Sequence, residues 1–298
     1  MKPSSLGLPL AILALGVSPS FSRAQTVTLT GAPSLQSYSH YVTLGSDPAS
    51  EETAYDALQE FTVSSTMPTS LEVPSPLNLF CIELGTDAPG TGNAPSTVTY
   101  TILPLADADQ GRSSTSMDAY SGIPSSGIGS ATATKLEDLY GYVFGSSYTN
   151  ASPLNITASQ IGISGSPSYA NSGYDSAVFQ LAVWNVVETD SFSNIATSGT
   201  SGSGFYAYVP GFTPTPADAT TLIADTDNLL SAVAADSNVL PLNLDVLDAS
   251  GAQDYILPDP TGSYLSITQI PEPAPTALIL AAAACLVAVR RRPASILG

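Results

Sequence analysis

The sequence predicts an α+β fold of mostly antiparallel β-strands with inserted helices, followed by a single C-terminal transmembrane helix. Three observations predict it. Short runs with alternating or β-branched residues recur along the chain, a few longer segments between them carry helical periodicity, and an apolar run near the C-terminus ends in three adjacent arginines.

The strand candidates are TVTLT (Thr26 to Thr30), SYSHYVTL (Ser37 to Leu44), LNLFCIEL (Leu77 to Leu84), STVTYTIL (Ser96 to Leu103), LNLDVL (Leu242 to Leu247), YILP and GSYLSI. EETAYDALQEF can place Ala54, Leu58 and Phe61 on one side of a helix. ATKLEDLYGYVF has Leu136, Leu139, Tyr140 and Val143 at the i, i+3, i+4, i+7 spacing. TPADATTLIADTDNLLSAVAA opens with a capping Thr215 and with Pro216, whose missing N–H is harmless in the first turn. Its Leu222, Leu229, Leu230 and Val233 can then face a core. AVFQLAVWNVV, from Ala177 to Val187, permits a strand, but its length and the candidate caps Asn171, Asp175 and Ser176 favour a helix. DAPGTGNAPS, YSGIPSSGIGSA and SFSNIATSGTSGSG are turn-rich loops. Helices set among such strands make an α+β domain.

The chain ends divide it into three parts. Residues 1–24 have Lys2, an apolar run from Leu6 to Val17, and small residues Ser22 and Ala24 before Gln25, which is the layout of a cleaved secretory signal. Residues 25–270 form the expected exported domain, in which 239–270 either complete the sheet or stand as a small module. Residues 271–298 carry Pro271, Glu272 and Pro273, an apolar run from Ala274 to Val289, and Arg290, Arg291 and Arg292. The run is somewhat short of a full span of about 20 residues, and the arginines belong on the cytoplasmic side. This tail resembles the PEP-CTERM sorting signal of Gram-negative bacteria. The resemblance implies a sorting helix handled by an exosortase-type membrane enzyme, transient anchoring in the inner membrane, and delivery to the cell surface or extracellular matrix.

Composition excludes several function classes. Residues 25–270 hold 24 acidic side chains against two bases, Arg112 and Lys135, leaving a formal charge of −22. Nucleic-acid binding needs the opposite balance, and so does docking on anionic lipid. The acids form no EF-hand pattern, so no metal site is assigned and no cofactor is expected. With His40 as the single histidine and no G-x-S-x-G elbow, the chain is not expected to be an enzyme.

Cysteine usage points elsewhere. Cys285 lies in the tail, which leaves Cys81 as the single cysteine of residues 25–270. Such a thiol is buried and inert, paired with another molecule, or reactive. A thiolate can also attack a glutamine carbonyl, expel ammonia and leave an internal thioester. That chemistry needs held side chains, an oxyanion donor and exclusion of water. FCIEL around Cys81 and FQLAVW from Phe179 to Trp184 resemble the two signature segments of bacterial surface thioester domains. The resemblance implies Cys81 as the thiol partner and Gln180 as the acyl partner, with Phe80, Phe179 and Trp184 as pocket walls. Gln253 and Asp254 in GAQDYIL give a weaker match to a late Gln-Asp pair of the same families. A partner amine, on a surface protein or an extracellular polymer, would then be acylated once. The alternative is a noncovalent structural protein of biofilm or envelope with an inert buried cysteine.

Overall fold

The computed structural model describes residues 25–35, 41–45, 52–55, 58–67, 73–82, 87–108, 127–145, 148, 156–162, 172–195, 206–208 and 216–259. They fall in one compact unit, Ala24–Ser266. Nine strands and three α-helices are described: β1 (Thr26–Leu35), β2 (Tyr41–Gly45), β3 (Glu52–Tyr55), β4 (Gln59–Met67), β5 (Leu77–Cys81), β6 (Thr97–Pro104), α1 (Gly129–Phe144), α2 (Ser172–Thr189), β7 (Tyr206–Tyr208), α3 (Pro216–Ala235), β8 (Leu244–Asp248) and β9 (Tyr255–Pro258). A short 3-10 turn, Leu105–Asp107, follows β6.

Six strands close an antiparallel barrel in the order β1-β4-β5-β9-β8-β6, and β3-β2-β7 form a separate three-stranded sheet. Closure leaves the barrel strands without an open edge. β6 shows the expected alternation, with Val98, Tyr100 and Ile102 buried between more exposed threonines. β5 does not alternate, because all five of its residues are buried. One face lies in the barrel wall's interior packing, and Phe80 on the other meets aromatic rings of α1 and α2. Inside the barrel Tyr255 packs edge-on against Phe61 and Tyr100, at ring-centroid distances of 4.9 and 5.9 Å.

The helices follow from periodicity. α3 starts at Pro216 as the capping pattern predicts, and its buried Leu222, Thr226, Leu229, Leu230 and Val233 form one stripe. The Thr226 hydroxyl returns to the Leu222 carbonyl at 2.8 Å, so this buried polar group is satisfied within its own helix. α2 is different. Its residues from Gly173 to Val187 are all buried, which marks a central helix covered on every side. At its end, Asp190 adopts φ 48° and its carboxylate accepts from Lys135 (2.7 Å) and Thr132 (2.8 Å) of α1. Those donors hold the Asp190 carboxyl below the usual range, the Lys135 hydrogen bond most strongly.

Two expectations need correction. EETAYDALQEF is not a helix: its residues enter β3 and β4, with Glu52–Tyr55 paired to β2 and Gln59, Glu60 and Phe61 paired to β5. The helical spacing of Leu58 and Phe61 coincides with burial in the barrel, and the following TVSST favours extended backbone. The second correction concerns the C-terminus. Among the described residues no helix is long and apolar enough to cross a membrane. Pro271, Glu272, Pro273, Arg290, Arg291, Arg292 and the run between them lie outside the described residues, as does the leader at 1–24. Among the described residues the fold class is therefore a six-stranded antiparallel barrel with three helices, none of which crosses a membrane. The PEP-CTERM assignment, the exosortase partner and the transient inner-membrane anchoring all required a membrane-spanning helix, and the described residues supply none.

One close approach fixes α1. A Cβ at Gly141 would run into the backbone carbonyl of Leu240 and crowd Pro241, while the Leu242 N–H donates to the Glu137 carbonyl at 3.0 Å. Alanine is the better helix former by about 1 kcal/mol, yet overpacking against backbone costs about 1–3 kcal/mol. Gly141→Ala is therefore expected to lower stability in a denaturant titration. An unchanged or raised midpoint would show that the 240–241 segment can withdraw freely.

Candidate functional site: a buried cysteine and glutamine

Cys81 is the last residue of β5, directly opposite Tyr255 of β9, and β4 flanks the strand on its other side. Gln180 lies in the middle of α2. Both are 0% exposed. Across 99 positions of sequence the two residues meet through three contacts. The Cys81 backbone N–H donates to Gln180 Oε1 at 3.1 Å, the thiol approaches the same oxygen at 3.5 Å, and Gln180 Nε2 donates to the Cys81 carbonyl at 2.8 Å. A buried carboxamide must find partners, and this one finds them on a single residue.

The chemistry open to this arrangement follows from the atoms. The sulfur sits beside the amide group whose carbon it would attack. The Cys81 N–H already points at the carbonyl oxygen, where negative charge would develop in a tetrahedral intermediate. Complete burial keeps bulk water from an acyl group formed there.

Aromatic rings enclose the two elements. Phe179 packs on Phe80 at 4.8 Å, on Tyr140 at 4.9 Å and on Phe144 at 5.5 Å. The expected pocket residues Phe80 and Phe179 thus touch one another, each one position before a member of the pair. Trp184 is fully buried one turn beyond Gln180, and its indole N–H has no hydrogen-bond acceptor among the described residues. Sequence reasoning placed Tyr140 in the core but missed its proximity to this site. Its hydroxyl, also without a hydrogen-bond partner among the described residues, is hidden in an ordinary amphipathic helix pattern.

The weaker candidates join a neighbouring network. The Ile82 N–H donates to the Asp254 carbonyl at 3.0 Å, which sets Gln253 and Asp254 beside the end of β5. Asp254 Oδ1 accepts from the Ala249 N–H at 3.0 Å. Gln253 Oε1 receives Gln59 Nε2 at 3.3 Å and faces the Tyr255 hydroxyl at 3.1 Å, which also reaches Gln59 Oε1 at 2.9 Å. The Tyr100 hydroxyl donates to the Gln253 carbonyl at 3.1 Å. These bonds brace β4, β6 and β9 around the strand that carries Cys81. They do not bring Gln253 or Asp254 into hydrogen-bond contact with Gln180.

No protein-family model matches the chain, and no curated protein matches it. Among solved structures the chain is similar to the N-terminal thioester domain of fibronectin-binding protein SfbI from Streptococcus pyogenes. The identity is 9% and the TM-score 0.32, over 73% of this chain and 92% of that one. This is a distant likeness between barrel domains, too low in score to carry a functional reading.

Proposed function

We propose that the barrel is a single-use covalent binding domain of adhesin or matrix type, in which Cys81 and Gln180 condense to an internal thioester. The observation that carries the reading is the contact of the Gln180 carboxamide with the N–H, thiol and carbonyl of Cys81. The sulfur forms a bond to the amide carbon, the C–N bond breaks, and ammonia leaves with the thiol proton. The Cys81 N–H stabilises the oxyanion in between. A partner amine then attacks the acyl carbon, the C–S bond breaks, one amine proton ends on sulfur, and Gln180 is left in an isopeptide bond. Nothing turns over, so the protein is a binding component rather than an enzyme. Its own side chains offer few competing nucleophiles: Lys135 is the single lysine of residues 25–270, and its ammonium is engaged by Asp190 at 2.7 Å.

A second reading has its own support. With Cys81 and Gln180 both 0% exposed, and with the carboxamide satisfied on the Cys81 backbone, the pair as it stands is a noncovalent clamp. On that reading the buried cysteine is inert and the protein is a structural component of an envelope or matrix. It describes the thiol and carboxamide as they stand intact, and is the baseline against which a covalent bond has to be demonstrated.

Intact-mass measurement of fresh, nonreduced protein separates the two. The thioester makes the chain lighter by one ammonia, and methylamine converts that species to one heavier by the added amine. Cys81→Ala removes both changes. Full sequence mass with no methylamine uptake would leave the noncovalent reading standing alone, once a hydrolysed acid product, heavier than the amide by about one mass unit, is shown to be absent.

A further inference from the structure

Tyr140 sits among rings and carries a hydroxyl that the fold does not use. Its ring meets Phe179 edge-on at 4.9 Å and Phe80 at 6.4 Å, and it lies 5.6 Å from Phe144. The side chain is 0% exposed and its hydroxyl has no hydrogen-bond partner among the described residues. A phenylalanine would fill the same space. Burying an unsatisfied hydroxyl costs about 1–3 kcal/mol, so packing alone favours the residue that is not there. Phe80 and Phe179 immediately precede Cys81 and Gln180, so this donor on α1 packs against both elements that carry the pair.

We propose that Tyr140 is a positioning residue for the Cys81–Gln180 reaction, its hydroxyl hydrogen-bonding the sulfur as the thioester forms and opens. The inference rests on the thioester reading. During opening, the amine nitrogen bonds to the acyl carbon, the C–S electron pair goes to sulfur, and an amine proton finally settles there. Tyr140 keeps its own proton and lends only a hydrogen bond while charge is on the sulfur. It is suited to donate rather than to act as a base. Burial pushes its phenol well above the ordinary value, with the charges of Tyr148 and Cys81 adding to the effect.

Tyr140→Phe in the full chain is the test, read by thermal melting and by the rate of methylamine opening over about pH 6 to 9. The ring stays, so the melting temperature should hold or rise as the idle hydroxyl is removed. Opening should slow by about tenfold, the loss of one hydrogen bond to a developing charge. The deficit should be uniform across this range, because the phenol stays protonated throughout. A variant that opens at the wild-type rate overturns the role of Tyr140 while the thioester stands. A variant that melts well below the wild type shows a structural hydroxyl and also overturns it. Wild-type protein with neither ammonia loss nor methylamine uptake removes the thioester reading itself, and this inference with it.

Discussion

Gln180→Ala should destabilise the folded protein by about 3–5 kcal/mol, among the largest single-site effects in the chain. Truncating a fully buried side chain leaves a cavity in a helix that is covered on every side, a loss of about 2–5 kcal/mol on its own. The Cys81 N–H and carbonyl also lose their side-chain partner, and a buried group left short of hydrogen bonds costs about 1–3 kcal/mol. Trp184, the only tryptophan, is buried one turn away and reports unfolding by fluorescence. Cys81→Ala is the informative comparison. In the noncovalent clamp the alanine variant keeps both backbone contacts to Gln180 and loses only the sulfur, so its cost is near 1 kcal/mol, as for a small buried hydrophobe. With a thioester, either substitution also removes a crosslink between residues 99 apart, for which loop-closure arguments give about 4–5 kcal/mol. A severe Gln180→Ala with a mild Cys81→Ala marks the clamp. Two severe losses mark the bond. If both variants unfold like the wild type, the contact has no role in holding α2 to β5.

The pair was legible in the sequence because each member is chemically out of place. A carboxamide inside AVFQLAVWNVV and a lone cysteine inside LNLFCIEL each ask for a partner, and burial leaves few candidates. Tyr140 was not legible as part of the site, because a tyrosine at an i+4 core position needs no special explanation until its hydroxyl is seen to lack a partner among the described residues. The same division holds for the fold. α1, α2, α3, β6 and β9 follow from local pattern, since period and capping act within one segment. The pairing of β5 with β9, and the closure of β1 on both β4 and β6, are contacts between distant segments and leave no local periodicity. β4 was missed because an apparent helical spacing competed with its β-branched run, and β7 is only three residues long. The C-terminal apolar run was read from a membrane template, and no helix among the described residues fits that template.

The second large effect is a dependence on pH set by Asp245 of β8. This residue is only 6% exposed, and one of its two carboxyl oxygens, Oδ2, has no hydrogen-bond partner among the described residues. Asp259 lies near it just after β9, its backbone N–H donating to the Asn243 carbonyl at 2.9 Å, and Glu137 approaches from α1. Burial pushes the Asp245 carboxyl up to about 7, with further lifts from the charge of Asp259, a hydrogen bond to it, and the charge of Glu137. The folded state therefore holds this proton more tightly than the unfolded chain, where an aspartate titrates near 3.9. Below about pH 4 both states are protonated and the contribution is complete. As pH rises from about 4 to about 7 the unfolded chain ionises first, so stability falls, on the order of 2–4 kcal/mol in total. Above about pH 7 both states are charged and the loss levels off. Asp175 of α2, raised to about 6 mainly by burial, acts in the same direction. General repulsion in a domain with so few bases also weakens the fold as pH rises, so the wild-type slope alone does not identify Asp245. Asp245→Asn does, because it fixes a neutral isostere at that one position. Urea titrations spanning about pH 4.5 to 8 should show a shallower decline in this variant, and higher stability than the wild type at the alkaline end. Parallel declines would assign the pH dependence to the overall charge and leave the Asp245 proton without weight in the fold.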